Sequence, residues 1–149
     1  MASVIRDGNG DLYGTTYRGG NNFGVVFKLS MTGGQWHSTL LYDFCSSNHC
    51  GDGAHPLAGL VFDEAGNLYG TTYEGGNGCG KGFRGCGTVF KLAHAKSGWR
   101  ETVLHRFGNE PRGSNPAASL IFDNAGNLYG TTLYDAGGGG YGTVFEITP

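Results

Sequence analysis

The chain repeats one sequence pattern three times. The copies read ASVIRDGNGDLYGTT at 2–16, AGLVFDEAGNLYGTT at 58–72 and ASLIFDNAGNLYGTT at 118–132. Each continues through a glycine-rich stretch into GVVFKL (24–29), GTVFKL (87–92) or GTVFEI (142–147). Leu12, Leu68 and Leu128 hold the same place in each copy and are 56 and 60 residues apart. Tandem units of this length predict stacked supersecondary structures, because one unit alone cannot bury its apolar faces.

Each unit divides into four short segments with β character. In the second copy these are residues 60–63, 68–72, 88–92 and 101–107. The first two are joined by the turn sequence EAGN, in which glycine permits a positive φ. Apolar residues show no helical 3.6-residue period, and glycine interrupts every long window. An antiparallel four-stranded meander repeated in tandem predicts blades of a β-propeller.

This pattern predicts one all-β repeat domain over residues 1–149. Blade 1 covers 2–44, blade 2 covers 57–107, and a partial blade 3 with three strands covers 117–148. Propellers close with about four to eight blades, so two chains would supply nearly six. We therefore expect a homodimer that completes the ring. A three-sheet β-prism is the alternative architecture.

Charge and hydropathy exclude several kinds of partner. The chain has 10 Lys and Arg, 12 Asp and Glu, and a net charge of −2, with no basic cluster to neutralise a phosphate backbone. No apolar run approaches the roughly 20 residues that span a bilayer. The run GGGG at 137–140 is not followed by the G-K-S/T of a phosphate-binding loop. We therefore expect neither nucleic acid, membrane insertion nor a cofactor.

Four cysteines form two local pairs, Cys45 with Cys50 and Cys79 with Cys86. Neighbouring cysteines in polar loops are typical of disulfides made in an oxidising compartment. A four-cysteine zinc site is the alternative, although C-x4-C and C-x6-C depart from the usual tight spacing. Disulfides favour export, yet the chain shows no signal peptide.

The series GNLYGTT, GG, GTVFKL and WRETVLHRF resembles the GloVer tandem repeat of bacterial choice-of-anchor proteins. The resemblance covers nearly the whole chain. It implies propeller-like repeats in an extracellular or cell-surface protein, and it brings no defined catalytic residues. We expect the chain to depart from the family pattern in having neither an export signal nor a C-terminal anchor.

Strand connections in a meander alternate between two faces. The tight turns at 63–67 and 123–127 lie on one face, where they are expected to leave no room for a site. The opposite face, called the loop face below, carries the segments that differ between copies: 17–24, 45–56, 73–87, 108–116 and 133–142. Binding residues concentrate on loops held by a rigid scaffold, so any site is predicted here.

The loop face is rich in aromatic and polar side chains. The predicted ligand-binding residues are Tyr73, Asn77, Phe83, Arg84, Tyr134 and Tyr141. Such side chains suit a sugar, which offers apolar ring faces and hydroxyl edges. We expect a secreted or surface-associated binding module with a glycan as its ligand.

An extracellular polysaccharide hydrolase is the second hypothesis. It needs two carboxylates about 5–5.5 Å apart for retention or 6.5–9.5 Å apart for inversion. The loop face offers Glu74, Asp135, Asp52 and Glu110 as candidates. A structural repeat fragment with no activity is the third hypothesis. Binding is favoured over catalysis because the chain shows no acid–base motif.

Other recurring residues receive structural interpretations. His49, Asp52 and His55 lie within seven residues and form a weak metal-site candidate, for which a solvated disulfide loop is the preferred reading and no metal is expected. Asp63 and Asp123 precede A-G-N and are expected to cap turns. The repeated aromatic residues are assigned to the core or to blade interfaces: Tyr13, Tyr69, Tyr129, Phe27, Phe90, Phe145, Trp36 and Trp99.

Overall fold

A computed structural model of the chain describes residues 2–76, 85–108, 113–135 and 140–149. Within these ranges the secondary structure is twelve β-strands and one short 3-10 turn at Asn48–Cys50. Sheet 1 contains β1 (Ile5–Arg6), β2 (Leu12–Thr16), β3 (Val25–Thr32) and β4 (Gln35–Asp43). Sheet 2 contains β5 (Val61–Phe62), β6 (Leu68–Thr72), β7 (Thr88–Ala95) and β8 (Gly98–Arg106). Sheet 3 contains β9 (Ser114–Pro116), β10 (Ile121–Phe122), β11 (Leu128–Tyr134) and β12 (Thr143–Ile147).

The all-β prediction is confirmed as three four-stranded antiparallel sheets. Sheets 1 and 2 are meanders with strands in chain order, β1 to β4 and β5 to β8. Their registers are equivalent, since Gly14 faces Phe27 in sheet 1 and Gly70 faces Phe90 in sheet 2. Both last hairpins also shift register at the same place, directly before that phenylalanine. The repeat in sequence is therefore a repeat in strand pairing.

Sheet 3 differs from the predicted three strands. The segment 108–116, assigned to a loop, contributes β9, which pairs with β11 through Pro116 and Ser114. Proline lacks an N–H and is tolerated at the edge of a sheet, which explains why this short strand escapes a pattern search. The equivalent contact in sheet 2 is a single bridge between Ala54 and Glu74.

The outer edge of sheet 3 is β12. In the described part of the chain β12 pairs with β11, whereas β3 and β7 each pair with a further strand on their other side. A groove of about 560 Å³ runs beside β12 and is bounded on the sheet 2 side by Leu104 and His105.

The aspartates before the tight turns do cap them, as expected. Asp63 Oδ1 accepts hydrogen bonds from the N–H groups of Ala65 and Asn67 at 3.0 and 2.8 Å. Asp63 Oδ2 accepts bonds from the Asn67 side-chain amide and the Tyr69 hydroxyl at 2.7 and 3.0 Å. Asp123 accepts the same four bonds in sheet 3. The turn and the second strand are thus tied together by one carboxylate.

The sheets pack face to face in chain order through two apolar clusters. Between sheets 1 and 2, the Tyr13 ring meets Phe62 edge-on at 5.1 Å and Phe44 meets Phe90 at 5.1 Å. Between sheets 2 and 3, the corresponding pairs are Tyr69 with Phe122 at 5.1 Å and Phe107 with Phe145 at 5.0 Å. Edge-to-face geometry at this separation is favourable for aromatic pairs. The chain therefore builds the same interface twice.

The two end faces of this stack are exposed. Trp36 on sheet 1 is 49% exposed, so its assignment to the core or an interface is wrong within this chain. Its repeat equivalent Trp99 is partly buried against the cluster between sheets 1 and 2. The difference arises because sheet 1 covers Trp99, whereas no described part of the chain covers Trp36. The described residues also contain no helix with the length and apolarity of a membrane span.

Candidate functional site

The loop between sheets 1 and 2 is hydrogen-bonded to the connections that follow β2 and β6. The N–H of His55 donates to the Phe23 carbonyl at 2.7 Å, and the N–H of Tyr73 donates to the His55 carbonyl at 3.1 Å. Ala54 and Glu74 exchange two backbone hydrogen bonds at 2.8 and 3.0 Å. These bonds place His55 between the loops that follow β2 and β6.

The imidazole of His55 is held on two sides. Its ring stacks on Tyr17 with centroids 4.5 Å apart and an interplanar angle of 20°. Phe23 lies 5.6 Å from it at a tilt of 44°. Its Nδ1 atom is 2.9 Å from Glu74 Oε2, with both side chains about four-fifths buried at 17% and 20% exposure. A carboxylate and an aromatic face therefore lock this histidine in one orientation.

Two further tyrosines adjoin this group. Burial raises the pKa of the Tyr73 phenol, and its hydrogen bond with Tyr134 and the charge of Glu74 act in the same direction. The side-chain amide of Asn115 donates to the Tyr73 carbonyl at 2.8 Å and fixes the backbone there. Tyr17 and Tyr134 remain 41% and 40% exposed.

We call this group the loop-face cluster: Tyr17, His55, Tyr73, Glu74 and Tyr134. Its tyrosines come from three consecutive repeats, and two of them present ring surface to solvent. The hydroxyl groups, the imidazole and the carboxylate add hydrogen-bond donors and acceptors to these aromatic faces. A rigid apolar surface with a few convergent polar groups is the usual make-up of a small-ligand site.

Three of the predicted site residues meet in this cluster, namely Tyr73, Glu74 and Tyr134. Tyr141 lies on the connection before β12 and is 89% exposed. The predicted Asn77, Phe83, Arg84 and Glu110 lie outside the described residues. Tyr17 is not among the predicted ligand-binding residues, although it follows the same G-T-T as Tyr73 and was recognisable by this repeat position. His55 is predicted only as part of a weak metal-site candidate.

The disulfide loop of sheet 1 is organised around a buried carboxylate. The predicted Cys45–Cys50 disulfide is present. Asp52, 4% exposed, accepts hydrogen bonds from the hydroxyls of Tyr42, Ser46 and Ser47 at 2.9, 2.9 and 2.6 Å. Cys86 is likewise disulfide-bonded and buried, and Cys79 lies outside the described residues. A disulfide agrees with the expected oxidising, extracellular environment.

Asp52 and Glu101 are carboxyl groups with opposite pKa shifts. Burial acts to raise the pKa of Asp52, but hydrogen bonds from Ser47, Tyr42 and Ser46 outweigh it and keep the pKa below its usual range. Burial, followed by the charge of Asp52, raises the pKa of Glu101 to about 7. Diverging pKa values can mark an acid–base pair. Here the oxygens of Asp52 are occupied by protein donors, which assigns Asp52 a structural role.

The weak metal candidates do not meet. His55 is bound to Glu74 and Asp52 to its hydroxyl donors. In the described ranges no three His, Cys, Asp or Glu side chains are grouped as metal ligands, so His49, Asp52 and His55 form no such set. Asp135 lies directly after β11 and is partly exposed.

The face with the tight turns has more space than expected. A groove of about 760 Å³ separates the turn after β5 from the turn after β10. Tyr69, Lys91 and Phe122 form its floor, while Asp63 and Asp123 border it. The tight turns were expected to leave no room for a site. That expectation considered each turn alone and not the gap between adjacent sheets. The two aspartates at this groove are engaged in turn capping.

Comparison with known proteins bears on identity. A search of curated proteins finds no match to this chain. The sequence model of one protein family, the Gloeobacter/Verrucomicrobia repeat, matches residues 1–149. This match agrees with the GloVer resemblance drawn from the G-N-L-Y-G-T-T and G-T-V-F motifs. On this evidence the chain belongs to the Gloeobacter/Verrucomicrobia repeat family.

Proposed function

We propose that the protein is a secreted or surface-associated binding module whose loop-face cluster recognises an extracellular glycan. The observation that carries this proposal is the Tyr17–His55 stack, fixed by Glu74 and adjoining the hydrogen-bonded Tyr73 and Tyr134. A sugar ring would lie on the exposed faces of Tyr17 or Tyr134, and its hydroxyls would bond to the neighbouring polar groups.

The rigidity of the cluster supports a binding role. Backbone hydrogen bonds join His55 to both adjacent loops, and Glu74 is bridged to Ala54. A site whose side chains are ordered before the ligand arrives avoids part of the entropy loss of binding. The expected consequence is selective recognition of a ring-shaped ligand.

We further propose a propeller-type scaffold beneath this site. The described residues that follow β2 and β6 are hydrogen-bonded to His55 in the loop between sheets 1 and 2, which supports blades that carry these connections on one face. The inner ends of the three sheets converge, because a Cβ on Gly59 would lie 3.0 Å from Ser119 Oγ and 3.2 Å from Ser3 Oγ. This close approach of residues at the same repeat position supports an arrangement of the sheets around a common axis.

The test is a glycan-array screen followed by calorimetry on the best ligand. Tyr17→Ala and Tyr134→Ala are each expected to weaken binding by about fivefold or more, since truncating a central aromatic residue commonly costs over 1 kcal/mol. Tyr17→Phe keeps the stack and should retain most of the affinity. Lys96→Ala, in the turn between β7 and β8 on the opposite face, is the matched control and should bind like the wild type.

Two outcomes would contradict this function. One is a wild-type protein that binds no glycan while folded. The other is binding that persists unchanged in both tyrosine variants. Release of new reducing ends from a polysaccharide, abolished by Glu74→Gln, would instead establish the hydrolase hypothesis.

A further inference from the structure

The outer face of sheet 3 has the composition of an interface but is exposed. Val144 is 76% exposed, although its repeat equivalent Val89 is completely buried against sheet 3. Ile121 is 65% exposed, although its equivalent Val61 packs in the same cluster. Exposed apolar residues grouped on one face mark an interaction surface. In sheet 2, the equivalent face packs against the next sheet of the same chain.

The outer face of sheet 1 is the complementary half. Val4 is 50% exposed, whereas its equivalents Leu60 and Leu120 are 2% and 1% exposed because the preceding sheet covers them. On the same face Trp36 and Leu40 are 49% and 58% exposed. Sheet 1 thus exposes the face that the preceding sheet covers in sheets 2 and 3. Sheet 3 exposes the face that the following sheet covers in sheets 1 and 2.

The two internal interfaces share one polar–aromatic arrangement. Lys28 lies over the Tyr13 ring at 5.5 Å, and Lys91 lies over the Tyr69 ring at 5.2 Å. The facing sheet supplies a phenylalanine to each tyrosine, Phe62 to Tyr13 and Phe122 to Tyr69. In both places, the cation comes from the tyrosine's own sheet and the aromatic residue comes from the neighbour.

The end faces exchange these roles in a complementary way. On sheet 3, Glu146 pairs with Tyr129 where the other sheets have lysine. On sheet 1, Arg6 pairs with Leu12 at the position of Phe62 and Phe122. The end face of sheet 3 therefore has the carboxylate of Glu146 in place of a lysine. The end face of sheet 1 has the guanidinium of Arg6 in place of a phenylalanine. Arginine suits this position because its guanidinium group can stack on an aromatic ring and bind a carboxylate at the same time.

We propose that the outer face of sheet 3 docks on the outer face of sheet 1 of a second copy of this chain. Arg6 of one copy stacks on Tyr129 and binds Glu146 of the other. Trp36 takes the place beside Tyr129 that Trp99 has beside Tyr13, where the ring centroids are 6.5 Å apart. The charge complementarity of the chain's two ends favours a second copy over an unrelated partner.

Two such contacts close a dimer. The contact is heterologous, so each copy uses sheet 3 on one side and sheet 1 on the other. A twofold pair then contains six sheets, within the range of about four to eight in which propellers close. This interface is distinct from the loop-face cluster, so either proposal can fail alone.

The test is the solution mass by light scattering with size-exclusion chromatography. At about 100 µM the wild type is expected at twice the 15.7 kDa of one chain, because association depends on concentration. Arg6→Glu and Glu146→Arg should each weaken dimerisation by about tenfold or more, because like charges then face each other. The double variant restores the opposite charges and should recover the dimer.

Lys96→Glu, in the turn between β7 and β8, is the charge-reversal control and should remain dimeric. A monomeric wild type would overturn the proposal and leave the end faces to other repeats or other proteins. A dimer that survives both single reversals, or a double variant that stays monomeric, would place the contact elsewhere. Masses that grow beyond two copies would refute the closed pair.

Discussion

A single aspartate joins a turn to a strand in each repeat. Asp7, Asp63 and Asp123 all accept bonds from backbone N–H groups of their turn and from a tyrosine hydroxyl. For Asp63, burial acts to raise the pKa, but hydrogen bonds from Asn67, Tyr69 and Ala65 outweigh it and lower the pKa. Its recurrence therefore reflects folding, and a catalytic reading of this carboxylate finds no support in its contacts.

The raised pKa of Glu101 predicts how the stability of the folded protein depends on pH. Burial and then the charge of Asp52 raise its pKa from 4.5 to about 7, against the opposing effect of Arg106. Because the folded state holds this proton more tightly, the stabilisation is fully present below about pH 4.5 and is lost as the pH rises through about 7. Buried Glu101 Oε1 also has no hydrogen-bond partner among the described residues.

We expect Glu101→Gln to reduce the fall in Tm between pH 5 and pH 8, because the amide does not ionise. Each kcal/mol relieved at pH 8 should raise Tm by about 2–4 °C in a domain of this size. Differential scanning calorimetry across this range measures the effect. Glu64→Gln, in an exposed turn, should follow the wild type. An equal fall in Tm for the wild type and Glu101→Gln would contradict the shifted pKa.

Within the second strand, glycine determines how close the third strand's phenylalanine can lie. A Cβ on Gly70 would be 2.7 Å from Phe90 Cζ and 3.0 Å from Leu60 Cδ2, both in the fully packed cluster between sheets 1 and 2. Gly14 and Gly130 meet equivalent atoms in their own sheets. The L-Y-G-T-T motif thus reserves space for an aromatic ring.

Gly70→Ala is expected to destabilise the fold by about 1–3 kcal/mol, the usual cost of overpacking a close-packed core. Gly14→Ala should cost less, because Phe27 on the exposed face of sheet 1 has room to move. Gly8→Ala adds a Cβ with nothing within 4 Å and serves as the control. Urea unfolding measures all three, and equal effects at Gly70 and Gly14 would show that the covering sheet does not matter.

For the molecule as a whole, sheet 2 differs from its neighbours because both of its faces are covered. All five residues of β6 are buried, whereas β2 has partly exposed positions and β11 has partly and fully exposed ones. Local opening is easiest where few apolar contacts are lost. Stability should therefore decrease from the middle sheet toward the ends.

Hydrogen exchange measures this gradient directly. In Arg6→Glu, at a concentration at which light scattering gives the mass of one chain, amides of β6 are expected to exchange about tenfold or more slowly than those of β2 and β11. In the wild type at high concentration, the difference should narrow as the end faces become covered. Uniform protection across the three sheets of the monomer would contradict the gradient.

Much of the fold was predictable from local pattern. The turn after Asp63 and the β character of Leu68–Thr72 predicted the meander, and the repeat extended it to the whole chain. The short strand β9 was missed because Pro116 and its neighbours show no strand pattern and pair only through contact with β11. For the candidate site, the repeat position predicted Tyr73 and the segment that contains Tyr134. It did not predict that Tyr17 and His55 lie beside them.

By itself the sequence determined the three repeats and the antiparallel meander within each, because these depend on contacts within one unit. Only the tertiary structure decided that Tyr17, His55 and Tyr134, from separate segments, adjoin on the loop face. It also decided that Val89 is buried while Val144, in the same G-T-V-F motif, is exposed. The physical reason is that burial depends on which sheet lies opposite, and no local pattern encodes that neighbour.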